Sequence, residues 1–161
     1  MKVLFLCTGN SARSQMAEAI FNREAKGSHT AISAGSYPNP EVNPHAIEVL
    51  KRHEFDTDHL HPKHMNQFSH EDIDIVITLC DKMREHCPTF PNKPIYAHFG
   101  SIDPAAALGT EFEIQQVFNK VYAELSNRIE LFLYIMNKNM TKNETQIAFD
   151  DHAKEASEST K

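Results

Sequence analysis

The sequence predicts an α/β protein: a single domain in which a parallel β-sheet is covered by helices on both faces, forming a three-layer sandwich. The first observation is that 161 residues is the size of one domain and is enough to bury a core. The second is that short apolar runs alternate with amphipathic segments of helical period. The third is that the run Val3-Leu4-Phe5-Leu6 has no polar alternation, as expected for a strand covered on both faces.

The amino-terminal half is predicted to form two strand–helix units. A strand over 2–6 is followed by a helix over 14–26, which ends at Gly27 because glycine readily adopts the left-handed conformation found after helices. A second, short strand spans 29–35. The pair Asn43-Pro44 then begins the next helix, since asparagine is a favoured N-cap and proline is favoured at the first helical position.

The carboxyl-terminal half is predicted to contain two more strands and one long helix. A short helical turn at 68–72 precedes a strand over 73–79 that is rich in β-branched residues. The fourth strand spans 95–99, and a Thr-x-x-Glu capping box begins a long helix over 110–136 with a continuous apolar stripe. The intervening segment 81–92 is predicted to be irregular and mobile, because it carries few apolar residues.

The chain divides into a catalytic domain, residues 1–136, and a polar tail, residues 137–161. The tail is poor in apolar residues and ends Ala-Ser-Glu-Ser-Thr-Lys, a composition typical of disordered termini. A weak helical stretch is predicted within it, at about 145–154. The catalytic residues are all expected before the tail.

Composition excludes several classes of partner. A net charge of −6 argues against nucleic acid and against anionic membrane surfaces, since both attract basic proteins. No apolar run approaches the roughly 20 residues of a membrane span, and no secretion signal is recognisable. Three cysteines, an odd number, indicate reactive thiols in a reducing compartment. We therefore expect a cytoplasmic protein, and a monomer by default.

The segment from Cys7 to Ser14 is predicted to bind an oxyanion. It is a tight loop between a strand and a helix, where backbone N–H groups and the helix dipole form a cradle for a tetrahedral anion. The same field is expected to lower the pKa of Cys7 and make it a nucleophile. Arg13 adds a planar donor fork for two oxygens. The predicted oxyanion-binding residues are Thr8, Gly9, Asn10, Ser11, Ala12, Arg13 and Ser14.

Single residues in this loop also have ordinary structural interpretations. A lone cysteine is usually a small buried apolar residue, and a Gly-Asn pair is usually a turn. The combination of strand, Cys7, five residues, Arg13 and helix favours the anion-binding nucleophile. Asn10 is expected to hold the loop through its side chain, and Ser14 to donate to the Cys7 sulfur.

The topology of the sheet predicts which other residues lie beside the loop from Cys7 to Ser14. Ligands of parallel α/β sheets bind outside the carboxyl ends of the strands. Cys7 ends the first strand, Cys80 ends the third, and Asp103 lies just after the fourth. We expect these three side chains at the same edge of the sheet.

A histidine-rich loop offers an alternative, metal-binding hypothesis. Its histidines are irregularly spaced among polar residues, which favours a solvated loop; they are His59, His61, His64 and His70. No segment indicates a cofactor, so neither a metal nor an organic cofactor is predicted.

Three motifs resemble the low-molecular-weight protein tyrosine phosphatase fold family, and within it the thioredoxin-coupled arsenate reductases. They are Cys7-Thr8-Gly9-Asn10-Ser11-Ala12-Arg13-Ser14, then Thr78-Leu79-Cys80 with Cys87-Pro88, and Asp103-Pro104-Ala105. The resemblance covers about 1–136 and implies a four-stranded parallel sheet of order 2-1-3-4. The loop motif marks the whole superfamily, whereas the cysteine pair marks the reductases.

The resemblance implies a mechanism and a partner. Cys7 would attack arsenate, with Asp103 as the general acid. Cys80 would attack the adduct and release arsenite, and Cys87 would then form a Cys80–Cys87 disulfide for thioredoxin to reduce. The segment between Cys80 and Cys87 must move for this relay to run.

Two other functions stay open at this point. A phosphatase of the same fold needs only Cys7, Arg13 and Asp103, but three positions depart from the phosphatase pattern: Ala12 replaces a second cysteine, Gln15 a proline, and Ala105-Ala106-Ala107 the aromatic residues that follow Asp-Pro. A non-enzymatic redox sensor would use Cys80 and Cys87 as a switch.

Some reductases of this fold bind potassium beside the loop. The matching positions are Asn10, Glu18 and Ser33, but the fourth, usually acidic, is Lys63. An ammonium group there is expected to pair with Glu18 and to compete with the cation. The sequence therefore predicts no potassium site.

Overall fold

The computed structural model of the protein describes residues 1–138 together with 144, 146 and 150. The strands are β1 (Lys2–Cys7), β2 (Thr30–Gly35), β3 (Ile75–Thr78) and β4 (Ile95–His98). The helices are α1 (Arg13–Glu24), α2 (Pro44–Arg52), α3 (Asp81–Glu85) and α4 (Glu111–Met136), with 3₁₀ turns at Met65–Phe68 and Pro104–Ala106.

The four strands form one parallel sheet of order β2-β1-β3-β4. Leu6 pairs with Thr78, and Thr78 pairs with His98, so β1, β3 and β4 end at the same edge. The predicted fold class and strand order are confirmed. The loop after β1 consequently lies between the residues that follow β2 and β3.

Apolar side chains fill a core on each face of the sheet. On one face, Phe5 and Ile77 pack with helices α1, α2 and α4, which contribute fully buried residues such as Phe21 and Phe118. On the other face, Leu4 and its neighbours pack beneath the 3₁₀ turn at 65–68 and the segment that contains α3. The second layer is therefore thin, and Cys80 and Cys87 belong to it.

The segment 81–92 is more ordered at its start than the sequence suggests. Asp81–Glu85 forms α3 instead of irregular chain, because Met83 is buried against the sheet and the Arg84 guanidinium lies 3.7 Å from the Asp81 carboxylate. The helical turn expected at 68–72 is instead a 3₁₀ turn over Met65–Phe68.

The long helix begins at the predicted capping box, where the Glu113 N–H donates to Thr110 Oγ1 at 3.2 Å, and ends at Met136. Most of the predicted disordered tail, and most of its helical stretch at 145–154, lie outside the described residues. Residues 144, 146 and 150 are helical, and Gln146 Nε2 donates to the Tyr96 carbonyl at 2.8 Å. Within the described part of the chain, no helix is long and apolar enough to cross a membrane.

Candidate active site

The loop between β1 and α1 is held by the chain that follows β2. The carbonyls of Thr8, Gly9 and Ser11 accept hydrogen bonds of 2.8–2.9 Å from backbone N–H groups in the segment 37–43. Gly35 packs against this loop so closely that a Cβ atom there would lie 2.4 Å from the Thr8 carbonyl oxygen. The loop conformation therefore depends on tertiary contacts as well as on its own sequence.

Asn10 anchors the loop from inside. Its backbone is in the left-handed region (φ 46°), its side chain is fully buried, and its Nδ2 donates to Ser14 Oγ at 2.8 Å and Ser33 Oγ at 2.9 Å. Its Oδ1 accepts the Lys63 N–H at 2.7 Å. As predicted, the asparagine side chain holds the loop.

Beneath the loop, the positions that match a potassium site do not fit a cation. The Lys63 ammonium lies 3.3 Å from Glu18 Oε2, and both side chains are 11% exposed. Glu18 also accepts a hydrogen bond from Ser33. The predicted Lys63–Glu18 pair is confirmed, and its positive charge stands where a cation would have to bind.

Arg13 is buried and its orientation is fixed by two carbonyl groups. Its Nη1 donates to the Leu79 carbonyl at 3.2 Å and to the Ser101 carbonyl at 2.8 Å. Its Nε is buried and has no hydrogen-bond partner among the described residues. A buried unpaired donor costs free energy, so this geometry favours an anion that would accept from it.

Asp103 lies beside Arg13, at the start of the 3₁₀ turn. Its Oδ1 is 3.8 Å from Arg13 Nη2 and accepts the Ala105 N–H at 3.1 Å. The Asp103 side chain is half exposed, so it can exchange protons with water. This is a suitable position for a general acid.

The thiols of Cys7 and Cys80 interact, and this overturns one expectation. The hydrogen bond to Cys80, together with burial, raises the pKa of Cys7, although Arg13 and the Gly9 N–H act in the opposite direction. The same bond, aided by the Thr8 hydroxyl at 3.5 Å, lowers the pKa of Cys80 to about 4. The sequence predicts a low pKa for Cys7 itself; in the structure the pKa of Cys7 is raised and that of Cys80 is lowered instead.

Cys87 lies in apolar surroundings. Its thiol is half-buried against the second core, and burial raises the pKa of Cys87 to about 11. The Tyr96 hydroxyl fixes the following residues by donating to the Pro88 carbonyl at 3.4 Å and accepting the Phe90 N–H at 3.4 Å. All three cysteines are free thiols.

A cleft of about 860 Å³ opens above the oxyanion loop, and neither Cys80 nor Cys87 is among its lining residues. Cys7, Arg13 and Asp103 line it, as expected from the shared sheet edge, together with Thr8, Gly9, Ser11 and Ala12. Sequence reasoning missed its other lining residues, which are Ser36, Tyr37, Asn39, Lys82 and Ala105. Because ligands bind outside the carboxyl ends of parallel strands, the residues that follow β2 could have been predicted to line the cleft. Nothing in the sequence singles out Lys82.

The histidine-rich loop gives no support for a metal centre. Among the described residues, no group of three or more histidine, cysteine or carboxylate side chains could hold a metal ion. His64 instead caps the 3₁₀ turn by accepting the Asn66 N–H at 3.1 Å.

The sequence profile of the low molecular weight phosphotyrosine protein phosphatase family matches residues 2–146. The chain belongs to this family. Among its relatives, the arsenate reductase of Halalkalibacterium halodurans is 35% identical over 130 residues, which are 81% of this chain and 93% of the relative. The resemblance predicted from the three motifs is confirmed.

Solved structures of family members agree with this placement. An arsenate reductase from Archaeoglobus fulgidus superposes with a TM-score of 0.67 at 27% identity, covering 81% of this chain and 98% of the other. A thioredoxin-dependent arsenate reductase from Corynebacterium glutamicum superposes with a TM-score of 0.56 at 28% identity, covering 81% of this chain and 62% of the other.

Proposed function

We propose that this family member is an arsenate reductase that works through a relay of Cys7, Cys80 and Cys87. One observation carries the proposal: the Cys80 sulfur lies 3.5 Å from the hydroxyl of Thr8, which follows Cys7 in the oxyanion-binding loop, so that Cys7 and Cys80 influence each other's pKa. A phosphatase has no use for a second thiol at this position. The arsenate reductases among its relatives support the same substrate.

In the first step, arsenate binds the loop 8–14 and the free Nε of Arg13. The Cys7 thiol gives its proton to the Cys80 thiolate, and the Cys7 thiolate so formed makes a sulfur–arsenic bond. One arsenic–oxygen bond breaks, and the departing oxygen takes a proton from Asp103 and leaves as water. Arg13 and the Gly9 N–H favour this step because both lower the pKa of Cys7.

In the second step, Cys80 gives its proton to an oxygen of the arsenic adduct, and the resulting Cys80 thiolate attacks the Cys7 sulfur. A Cys7–Cys80 disulfide forms, the sulfur–arsenic bond breaks, and its electron pair stays on arsenic, which leaves as arsenite. The Thr8 hydroxyl, 3.5 Å from the Cys80 sulfur, favours this deprotonation because it lowers the pKa of Cys80 independently of the Cys7 thiol.

In the third step, Cys87 attacks Cys80 and frees the Cys7 thiolate. Cys87 must first leave its apolar surroundings, because a thiol with a pKa of about 11 is almost wholly protonated at neutral pH. The remaining Cys80–Cys87 disulfide needs two electrons from an external dithiol. Thioredoxin is the proposed donor, as in the Corynebacterium enzyme.

We assign this chemistry to a catalytic domain of residues 1–136 acting as a cytoplasmic monomer. The tail contributes no residue to the relay. No cofactor is required, because the three thiols and the external dithiol carry both electrons.

Hydrolysis of aryl phosphates is the second candidate activity. One observation favours it: Tyr37 stands at the rim of the cleft with 81% of its surface exposed, where an aromatic leaving group could stack. Ala105 lines the cleft at a position where aromatic residues are typical of phosphatases. The cleft is thus less closed around an aromatic ring than a dedicated phosphotyrosine pocket.

A coupled assay distinguishes the two activities. The protein is mixed with thioredoxin, thioredoxin reductase, NADPH and arsenate, and NADPH consumption is followed for wild type, Cys80→Ser and Cys87→Ser. We expect arsenate-dependent turnover in wild type and none in either variant. Rapid aryl phosphate hydrolysis by all three proteins, without arsenate-dependent turnover, would show a phosphatase.

A further inference from the structure

We propose that His98 is a positioning residue that holds Cys80 beside Cys7 by linking Thr78 to Asp81. We call the three side chains Thr78, His98 and Asp81 the latch. The proposal deepens the proposed relay, since its importance for catalysis depends on Cys80 being the second thiol.

The latch joins three elements at the edge of the sheet. Thr78 Oγ1 lies 2.8 Å from His98 Nδ1, and His98 Nε2 lies 3.2 Å from Asp81 Oδ1. A carboxylate can only accept, so Nε2 carries a hydrogen and donates it to Asp81. In a neutral ring Nδ1 then accepts from the Thr78 hydroxyl, so both bonds form without a charge on the imidazole.

The surroundings of His98 favour this neutral form. Burial and the nearby Arg84 lower the pKa of His98, against the opposing effects of Asp81 and Cys80. Space for the ring depends on Gly100, where a Cβ atom would lie 3.0 Å from His98 Nε2. The absence of a side chain at residue 100 thus leaves room for the His98 imidazole between Thr78 and Asp81.

The latch spans Cys80 along the chain. Thr78 is two residues before the thiol and Asp81 is the residue after it, so one ring holds the backbone on both sides of Cys80. The helix α3 that begins at Asp81 has five residues, too few to be stable alone. Its position must come from tertiary contacts, of which the latch and buried Met83 are the evident ones.

The latch is also built to open. Asp81 is 76% exposed, so water can replace its bond to His98 when Cys80 moves toward Cys87. Cys80 must be held in place for the second step and released for the third. A His98–Asp81 hydrogen bond of modest strength allows both. A wholly buried bond would oppose the release.

The test measures the rate at which Cys7 and Cys80 form a disulfide in the absence of arsenate. In a Cys87→Ser background, the reduced full-length protein is treated with diamide, which takes two electrons and two protons from Cys7 and Cys80 as their disulfide forms. Free thiols in quenched samples are alkylated, and the fraction of protein that contains the disulfide is measured from its mass by mass spectrometry. Asp81→Ala is expected to slow disulfide formation about tenfold, the ratio expected on losing one hydrogen bond of ~1.4 kcal/mol.

Matched variants separate the hydrogen bond from charge. Asp81→Asn keeps an acceptor oxygen and removes the negative charge, so we expect a rate within about twofold of the background. Glu85→Gln removes an exposed charge at the other end of α3 and is expected to have no effect. His98→Ala should match Asp81→Ala, and phosphate affinity should be unchanged in all four variants.

Two results would overturn the latch: Asp81→Ala as fast as the background, or Asp81→Asn as slow as Asp81→Ala, which would show a charge effect. A parallel experiment replaces diamide with arsenate. If the protein with all three cysteines loses no thiols to arsenate while the diamide series shows the expected pattern, the reductase proposal fails and the latch stands.

Discussion

The oxyanion loop, residues 7–14, and the redox segment, residues 80–92, face each other across the active site and are built in opposite ways. The loop is almost wholly buried; Asn10 donates hydrogen bonds to Ser14 and Ser33, and Arg13 donates to the distant carbonyls of Leu79 and Ser101. The redox segment has one five-residue helix, and most of its side chains are exposed. Binding a tetrahedral anion needs fixed donors, whereas passing a disulfide along the chain needs movement.

The largest expected difference between thiols lies in the pH dependence of their alkylation. Only thiolates react, so between pH 6 and 9 alkylation of Cys87, whose pKa is about 11, should rise about tenfold per pH unit. Cys80, with a pKa of about 4, is already a thiolate and should change less than about twofold. Iodoacetamide labelling with peptide mass mapping measures both; parallel titration of Cys80 and Cys87 would contradict the assignment.

The next test replaces one arginine in each region. Arg13→Lys removes the Nε donor and the fork, so arsenate-dependent kcat/KM is expected to fall about a hundredfold or more. Arg84→Lys keeps a positive charge on exposed α3 and should change kcat/KM less than about threefold. If the two substitutions lowered kcat/KM equally, the contrast between fixed donors in the loop and a mobile redox segment would be contradicted.

The third test concerns the support beneath the loop. Lys63→Met leaves the Glu18 carboxylate buried without its ammonium partner and is expected to lower the free energy of unfolding by about 3 kcal/mol. The control is Arg52→Met, which breaks an exposed pair with Glu48 and should cost less than about 0.5 kcal/mol. Urea unfolding followed by circular dichroism measures both, and similar losses would contradict the role of Lys63.

The smallest expected effect lies in the redox segment. Tyr96→Phe removes the hydroxyl that bonds to Pro88 and Phe90, and both bonds are long at 3.4 Å. We expect Cys87 alkylation at fixed pH to become about two- to threefold faster, because the thiol leaves its apolar surroundings more often. Unchanged alkylation would mean that apolar packing alone retains Cys87.

The sequence by itself determined the elements that depend on short stretches of chain. Local pattern and chain connectivity predict the four strands, the helices α1, α2 and α4, the Cys7–Arg13 spacing, the capping box at Thr110 and the parallel sheet. The rule that parallel strands end at one edge was enough to bring Cys7 and Asp103 to the same cleft. The low-molecular-weight phosphatase family was identifiable for the same reason, because its motifs are contiguous.

Tertiary structure decided the properties that depend on distant residues. Cys7 at the end of β1 interacts with Cys80, which directly precedes α3, and this interaction reversed the expected direction of the Cys7 pKa shift. The orientation of Arg13 comes from the carbonyls of Leu79 and Ser101, and α3 forms where Met83 meets the sheet. A pKa and a hydrogen-bond direction are set by neighbours in space, so no local pattern in the sequence could specify them.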